Sequence, residues 1–333
     1  MNNSDSAFAT LPHQVDVHVN LPTFKISVAR DEISKLEALL ELCSIAQPTW
    51  ENSRSPSNFG VYALGWRKWE AELNSFPQCS IDVQDDDGKT YTSQPLLQEA
   101  VGYSDRIPAR LAGIRRALLA DATPLPHLIG FGYSSPPPLD KDFAVQDNAD
   151  LVSEMMHLLG FTAERGGCVV QGGDLEGAVG PSTAALDPAC RLVHVYMAIM
   201  PPPDGIDVET DVSNGLYAKD EVESLQRSAE FGVSGVAYAQ LQGAKPATAG
   251  LAIGSSPVSL LAWFGEKMLH WADDCTKLSL DFILTTVSLY WFSGYYTTSL
   301  WGYRTFVRER KNMESGWRGV EVPLGVTDLL TKD

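Results

Sequence analysis

The chain has 333 residues, 44% of them hydrophobic, enough to bury one large core or two ordinary ones. Forty-two acidic against 25 basic side chains leave a formal charge of -17, which repels nucleic-acid phosphates and anionic lipid heads and argues against both as partners. The five cysteines (Cys43, Cys79, Cys168, Cys190 and Cys275) include no C-x-x-C pair, and the opening MNNSDSAFAT lacks the basic and apolar runs of an export signal, so a reducing, cytoplasmic setting without a zinc centre is expected.

In chain order, Ile33, Leu36, Leu40 and Cys43 share one face at helical spacing, with Asp31 and Glu32 at the start, and predict an amphipathic helix. A second helix holds Trp66, Trp69 and Leu73 and stops at Pro77. QDDDG (84–88) predicts a turn, and residues 89–125 show no clear pattern. From Pro126 onward α and β elements alternate. GFGYSSPPPL (130–139) is a loop, 150–159 a helix ended by Gly160, CVVQ (168–171) a short apolar strand, and 192–200 a second buried strand ended by Pro201, Pro202 and Pro203. This order predicts an α/β fold with a mostly parallel sheet covered by helices. Residues 204–305 carry helical patterns only and read as an insertion over that sheet. Within them, 282–301 runs without a charge for the length of a bilayer span, but its Ser, Thr and Gly294 favour a buried helix. A short apolar strand around 320–322 follows, and the chain ends at Asp333.

The sharpest feature is QGGDLEG (171–177), set between an apolar strand and a helix expected from Val179. A sharp strand-to-helix turn there exposes Asp174 at the end of the sheet with a helix N-terminus behind it. That is the arrangement of a nucleophile elbow, from which an ionised carboxylate can attack carbon. By itself Gly-Gly-Asp equally marks a turn whose Asp caps a helix.

Five blocks extend the pattern: LNSFPQ (73–78), GFGYSSPPPLDKDF (130–143), VVQGGD (169–174), SSPVSLLAWFGEK (255–267) and VSLYWF (287–292). In this order they resemble the microsomal-type epoxide hydrolases, the soluble fungal members in particular. The resemblance implies an α/β-hydrolase core, an N-terminal meander and a helical lid. It divides the chain into the meander region (1–85), the first part of the core with the elbow (86–203), the lid (204–305) and a shortened return to the core (306–333). It also implies a mechanism: an Asp opens the epoxide to an alkyl-enzyme ester, two lid tyrosines hydrogen-bond the epoxide oxygen, and a His with an acidic partner activates water. No metal or organic cofactor is implied. The expected partner is a small-molecule epoxide, met in detoxification or natural-product metabolism, and a homodimer is left open.

Carried over residue by residue, Asp174 matches the nucleophile, while Tyr238 in GVAYA and Tyr303 in WGYR match the two tyrosines. The backbone N–H of Leu175 matches an oxyanion donor. Trp263 and Trp291 are expected to line an apolar substrate pocket, although large aromatics at helical spacing also suit a core. Asp333 follows VPLG (322–325) near the spacing of the family's charge-relay acid.

Three departures stand against these matches. The family's H-G-W-P-G block, expected between Gln78 and Gly130, is absent, and residues 90–126 do not resemble the family, which puts one core strand in question. None of His13, His18, His127, His157, His194 and His270 matches the general base. Glu176 stands where the elbow needs a small residue, with Gly177 one place later, and is expected to strain the turn and to raise the cost of ionising Asp174. Without a base the ester is expected to accumulate. A catalytically impaired pseudoenzyme, or a small-molecule-binding protein that keeps the lid, is therefore a second reading.

Overall fold

Two three-stranded sheets, one antiparallel and one parallel, carry the site in this computed structural model, which describes residues 21–44, 65–76, 78–99, 122–197, 205–272, 278–308 and 319–327. Asp333, His13 and His18, and the triple proline at 201–203, lie outside the described residues.

The first sheet has the order β1 (Ile81–Gln84), β2 (Thr90–Glu99), β3 (Ala122–His127). In β1, Ile81 and Val83 point inward while Asp82 and Gln84 face water, the period-2 alternation of a strand with one buried face. The predicted turn is present: the Asp85 carboxylate accepts the N–H groups of Asp87 and Lys89, and Gly88 takes a left-handed φ of 76°. The region without a sequence pattern thus contains two strands. Prolines hide them, because Pro95 faces Pro126 and Pro124 faces Leu97 across the antiparallel ladder, where neither ring can donate a hydrogen bond. These three strands are antiparallel, and the parallel strands expected of an α/β core form the other sheet.

The second sheet is parallel, in the order β4 (Cys168–Gly172), β5 (Cys190–Val195), β6 (Leu324–Val326). The expected strand at 320–322 begins instead at Leu324, just past Pro323, whose carbonyl accepts the N–H of Val193. Between the sheets pack α3 (Val145–Leu158) and α4 (Glu176–Leu186). Helix α3 starts earlier than its apolar pattern suggested, because the Asp147 carboxylate accepts the N–H of Ala144 at 2.8 Å and anchors the first turn. Residues Gly177 to Ala184 of α4 are all buried, so no amphipathic stripe marks that helix in the sequence.

Asp187, at the end of α4, joins these layers. Its buried carboxylate accepts Ser153 Oγ at 2.7 Å and the N–H of Ala189 at 2.8 Å, and lies 3.1 Å from His157 Nε2. Because Asp187 sits between Ser153 and His157, the group ties α3 to α4 and is not arranged as a nucleophile with its base. Asp187→Ala is expected to cost about 3 kcal/mol, since it removes a buried charged acceptor that holds three donors and strands the buried N–H of Ala189; urea unfolding would measure it.

The N-terminal helices are α1 (Arg30–Leu42) and α2 (Trp66–Leu73), close to their predicted bounds. The remaining helices are α5 (Val208–Ser213), α6 (Lys219–Glu230), α7 (Ala237–Ala244), α8 (Pro246–Gly254), α9 (Pro257–His270), α10 (Leu280–Ser293) and α11 (Trp301–Arg308). Neither α5 nor α6 has a buried residue, nor does the π-helical turn Phe231–Gly235 that follows. The uncharged stretch 282–301 is no single rod: Gly294, at φ 69°, ends α10. Among the described residues no single helix is long and apolar enough to cross a membrane; α8 and α9 reach that length only as a pair bent by 108°.

Candidate active site

Strand β4 delivers the chain to a turn with almost no spare room. A Cβ on Gly173 would lie 2.0 Å from the Tyr196 ring, and one on Gly177 2.6 Å from the Met197 carbonyl oxygen. Asp174 itself has φ 50°, the one non-glycine residue with positive φ among the described residues. Such strain in a chemically competent side chain is characteristic of functional turns. The strain expected from Glu176 is avoided because its partner across the turn is Gly172, whose Cβ would stand 2.6 Å from that of Glu176.

The Asp174 carboxylate is reached by water yet walled by protein. This packing holds its carboxyl above the ordinary range, and a hydrogen bond from the Leu175 N–H partly offsets the shift. Glu176 lies in the same cleft and is pushed up by burial and further by the charge of Asp174, against the pull of its own N–H. The two acids are thus close enough to repel one another, and ionising both costs more than ionising either.

Helices α7 and α11 bring two phenols to these acids. The rings of Tyr238 and Tyr303 meet edge to face with centroids 5.7 Å apart. Burial raises both pKa values, and the negative charge of Asp174 raises them further, which places both phenols within its electrostatic reach and keeps them protonated at neutral pH. Buried Gln242 stands behind the two phenols. Its Oε1 accepts Trp263 Nε1 at 3.1 Å and the Tyr296 hydroxyl at 3.0 Å, and its side chain also interacts with Tyr303, which in turn interacts with Tyr238.

One turn of α11 holds the arrangement in register. Trp301 Nε1 donates to the Ile129 carbonyl at 2.9 Å, and Arg304 donates to the Phe143 carbonyl at 3.0 Å and pairs with Asp142. Between them Gly302 rests on Leu175, where a Cβ would come 2.6 Å from its Cδ1, and Tyr303 lies within electrostatic reach of Asp174. On the far side Gly243 lets α7 approach, since a Cβ there would stand 2.3 Å from the Tyr303 carbonyl oxygen. Gly243→Ala is therefore expected to destabilise the fold by about 1–3 kcal/mol through overpacking, read by thermal unfolding, and to separate the tyrosines.

Of the residues singled out in the sequence, Asp174, Leu175, Tyr238 and Tyr303 come together. Trp263 stands behind the tyrosines as a partner of Gln242, and Trp291 packs beside Tyr290 in the apolar cluster of α8, α9 and α10. The sequence pattern missed Gln242 and Tyr290. Tyr290 feels the charges of both Asp174 and Glu176, beneath a larger effect of burial, and its ring lies 4.2 Å from that of Tyr295. Its signal was its place three residues after buried Val287, on the inward face of α10. Among the described histidines, His157 engages Asp187, His194 Nε2 lies 2.9 Å from Thr327 Oγ1, and half-buried His127, its pKa lowered by desolvation, packs against Gly132. No group of three or more His, Cys, Asp or Glu among the described residues is placed to hold a metal ion.

No family model matches the chain. It is 30% identical, over an alignment of 352 positions, to the Dothistroma septosporum protein named "Putative epoxide hydrolase", covering 96% of this chain and 80% of that one. The solved Aspergillus niger epoxide hydrolase superposes with a TM-score of 0.76 at 30% identity, covering 96% of this chain and 86% of that one. Juvenile hormone epoxide hydrolase from Bombyx mori, 18% identical, shares the fold with a TM-score of 0.73 over 92% of this chain and 82% of its own. With its elbow, its parallel strands and these relatives, the chain belongs to the epoxide hydrolases of the α/β-hydrolase superfamily.

Proposed function

We propose that the protein opens an epoxide to a diol through an alkyl ester on Asp174, with Tyr238 and Tyr303 as the groups that receive the epoxide oxygen. The observation that carries this reading is the single turn of α11 in which Gly302 rests on the elbow and Tyr303 lies within electrostatic reach of its carboxylate. An Asp174 oxygen attacks one epoxide carbon and the carbon–oxygen bond breaks. The resulting alkoxide is stabilised by phenols still protonated at neutral pH. In this reading the Leu175 N–H, which hydrogen-bonds the Asp174 carboxylate, polarises the ester for attack by water. In this reading residues 204–305 are the lid, 1–85 the meander and the rest the core. The substrate is a neutral small molecule, suited to an acidic protein, and the setting is cytoplasmic detoxification or secondary metabolism.

Incubation with styrene oxide, followed by diol assay and intact-mass measurement, tests the proposal. Diol, or a protein heavier by one epoxide, is expected; neither product would end it.

A further inference from the structure

Glu176 occupies the first turn of α4, two residues after the nucleophile, where an acid is favoured by the helix dipole, and its Cβ is seated over Gly172. Water reaches it, and its charge is felt at Tyr290 together with that of Asp174, so both acids open into one cleft. Two carboxylates so placed do not ionise together without cost. Once Asp174 becomes a neutral ester the repulsion disappears, and Glu176 can hold a negative charge at the stage when a base is required.

We infer that Glu176 is a second catalytic carboxylate, the proton donor for ring opening and the general base for ester hydrolysis; the inference rests on the epoxide-opening reading above. In the first step the bond from Asp174 to carbon forms and the epoxide carbon–oxygen bond breaks. Its electron pair stays on the oxygen, which ends with the proton of Glu176. In the second step the Glu176 carboxylate removes a proton from water and the hydroxide adds to the ester carbon of Asp174. The adduct then collapses with the bond to the diol oxygen breaking, and that oxygen takes the proton of the newly formed Asp174 acid. Epoxide and water have become diol, Asp174 is ionised and Glu176 is protonated again.

The experiment compares the wild-type chain, Glu176→Gln and Glu176→Asp with styrene oxide, following both diol and intact mass. The wild type should release diol. Glu176→Gln should accumulate the adduct, which itself reports a folded elbow, and lose diol formation by at least about 100-fold. Glu176→Asp, which keeps a carboxylate, should turn over faster than Glu176→Gln. Diol release by Glu176→Gln at the wild-type rate, or no recovery in Glu176→Asp, overturns the role of Glu176. A wild type that stalls as the adduct also overturns it while leaving Asp174 as nucleophile. A wild type that gives neither adduct nor diol removes the epoxide reading, and this inference with it.

Discussion

Asp174→Asn is expected to abolish the covalent adduct and to reduce diol formation by about 10³-fold or more, because an amide oxygen is a poor nucleophile and no other carboxylate has the same position at the tip of β4. Intact mass after exposure to an aryl epoxide measures the first effect and a diol assay the second. A protein that only binds ligand under a helical cover would tolerate the change, so the substitution separates the two readings. Stability should move the other way. The folded-state pKa of Asp174 is raised, so the native state holds this proton more tightly than the unfolded chain does. Its favourable contribution is complete below the ordinary aspartate range and is lost as pH rises through the raised value. At neutral pH, Asp174→Asn should therefore be slightly more stable than the wild type. Water at the carboxylate limits the gain to within about 1 kcal/mol, and the difference should shrink on acidification.

Replacing both Tyr238 and Tyr303 by Phe should lower kcat/KM by about 10²–10⁴-fold with the adduct-forming step most affected, since both donors to the departing oxygen are lost. The single changes should be unequal. Tyr303 stands between Gln242 and Tyr238, so Tyr303→Phe takes a polar partner from both. That change should also cost about 1–3 kcal/mol of stability. Tyr238→Phe takes a partner from Tyr303 alone. Single-turnover alkylation of the three variants would give the order, and the two single effects should not sum to the double one.

The elbow was legible because its requirements are local: an apolar strand, two glycines and an acid before a helix. The tyrosines were not, since nothing in the periodicity of a helix distinguishes a phenol that meets a partner 65 residues away, as Tyr238 meets Tyr303, from one that packs. They came from family likeness. Gln242 and Tyr290 were missed for the same reason, their neighbours being assembled from α7, α9, α10 and α11. The antiparallel strands escaped because Pro95, Pro124 and Pro126 are poor strand formers that lie at positions where the ladder tolerates a missing donor. Among the described residues β3 and β4 belong to separate sheets.

The helices above the cleft are held very unequally. The turn of α11 from Trp301 to Arg304 is bolted to the loop below it and to Leu175, whereas α5 and α6 bury nothing. Their link toward the chemistry runs through Phe231, whose ring meets Trp271 edge to face, and through Trp271, which leans on Tyr238. Tyr303 rides on the bolted turn while Tyr238 sits on α7, beside the lightly anchored stretch, so any local opening of α5 and α6 loosens the hydroxyl pair from the Tyr238 side first.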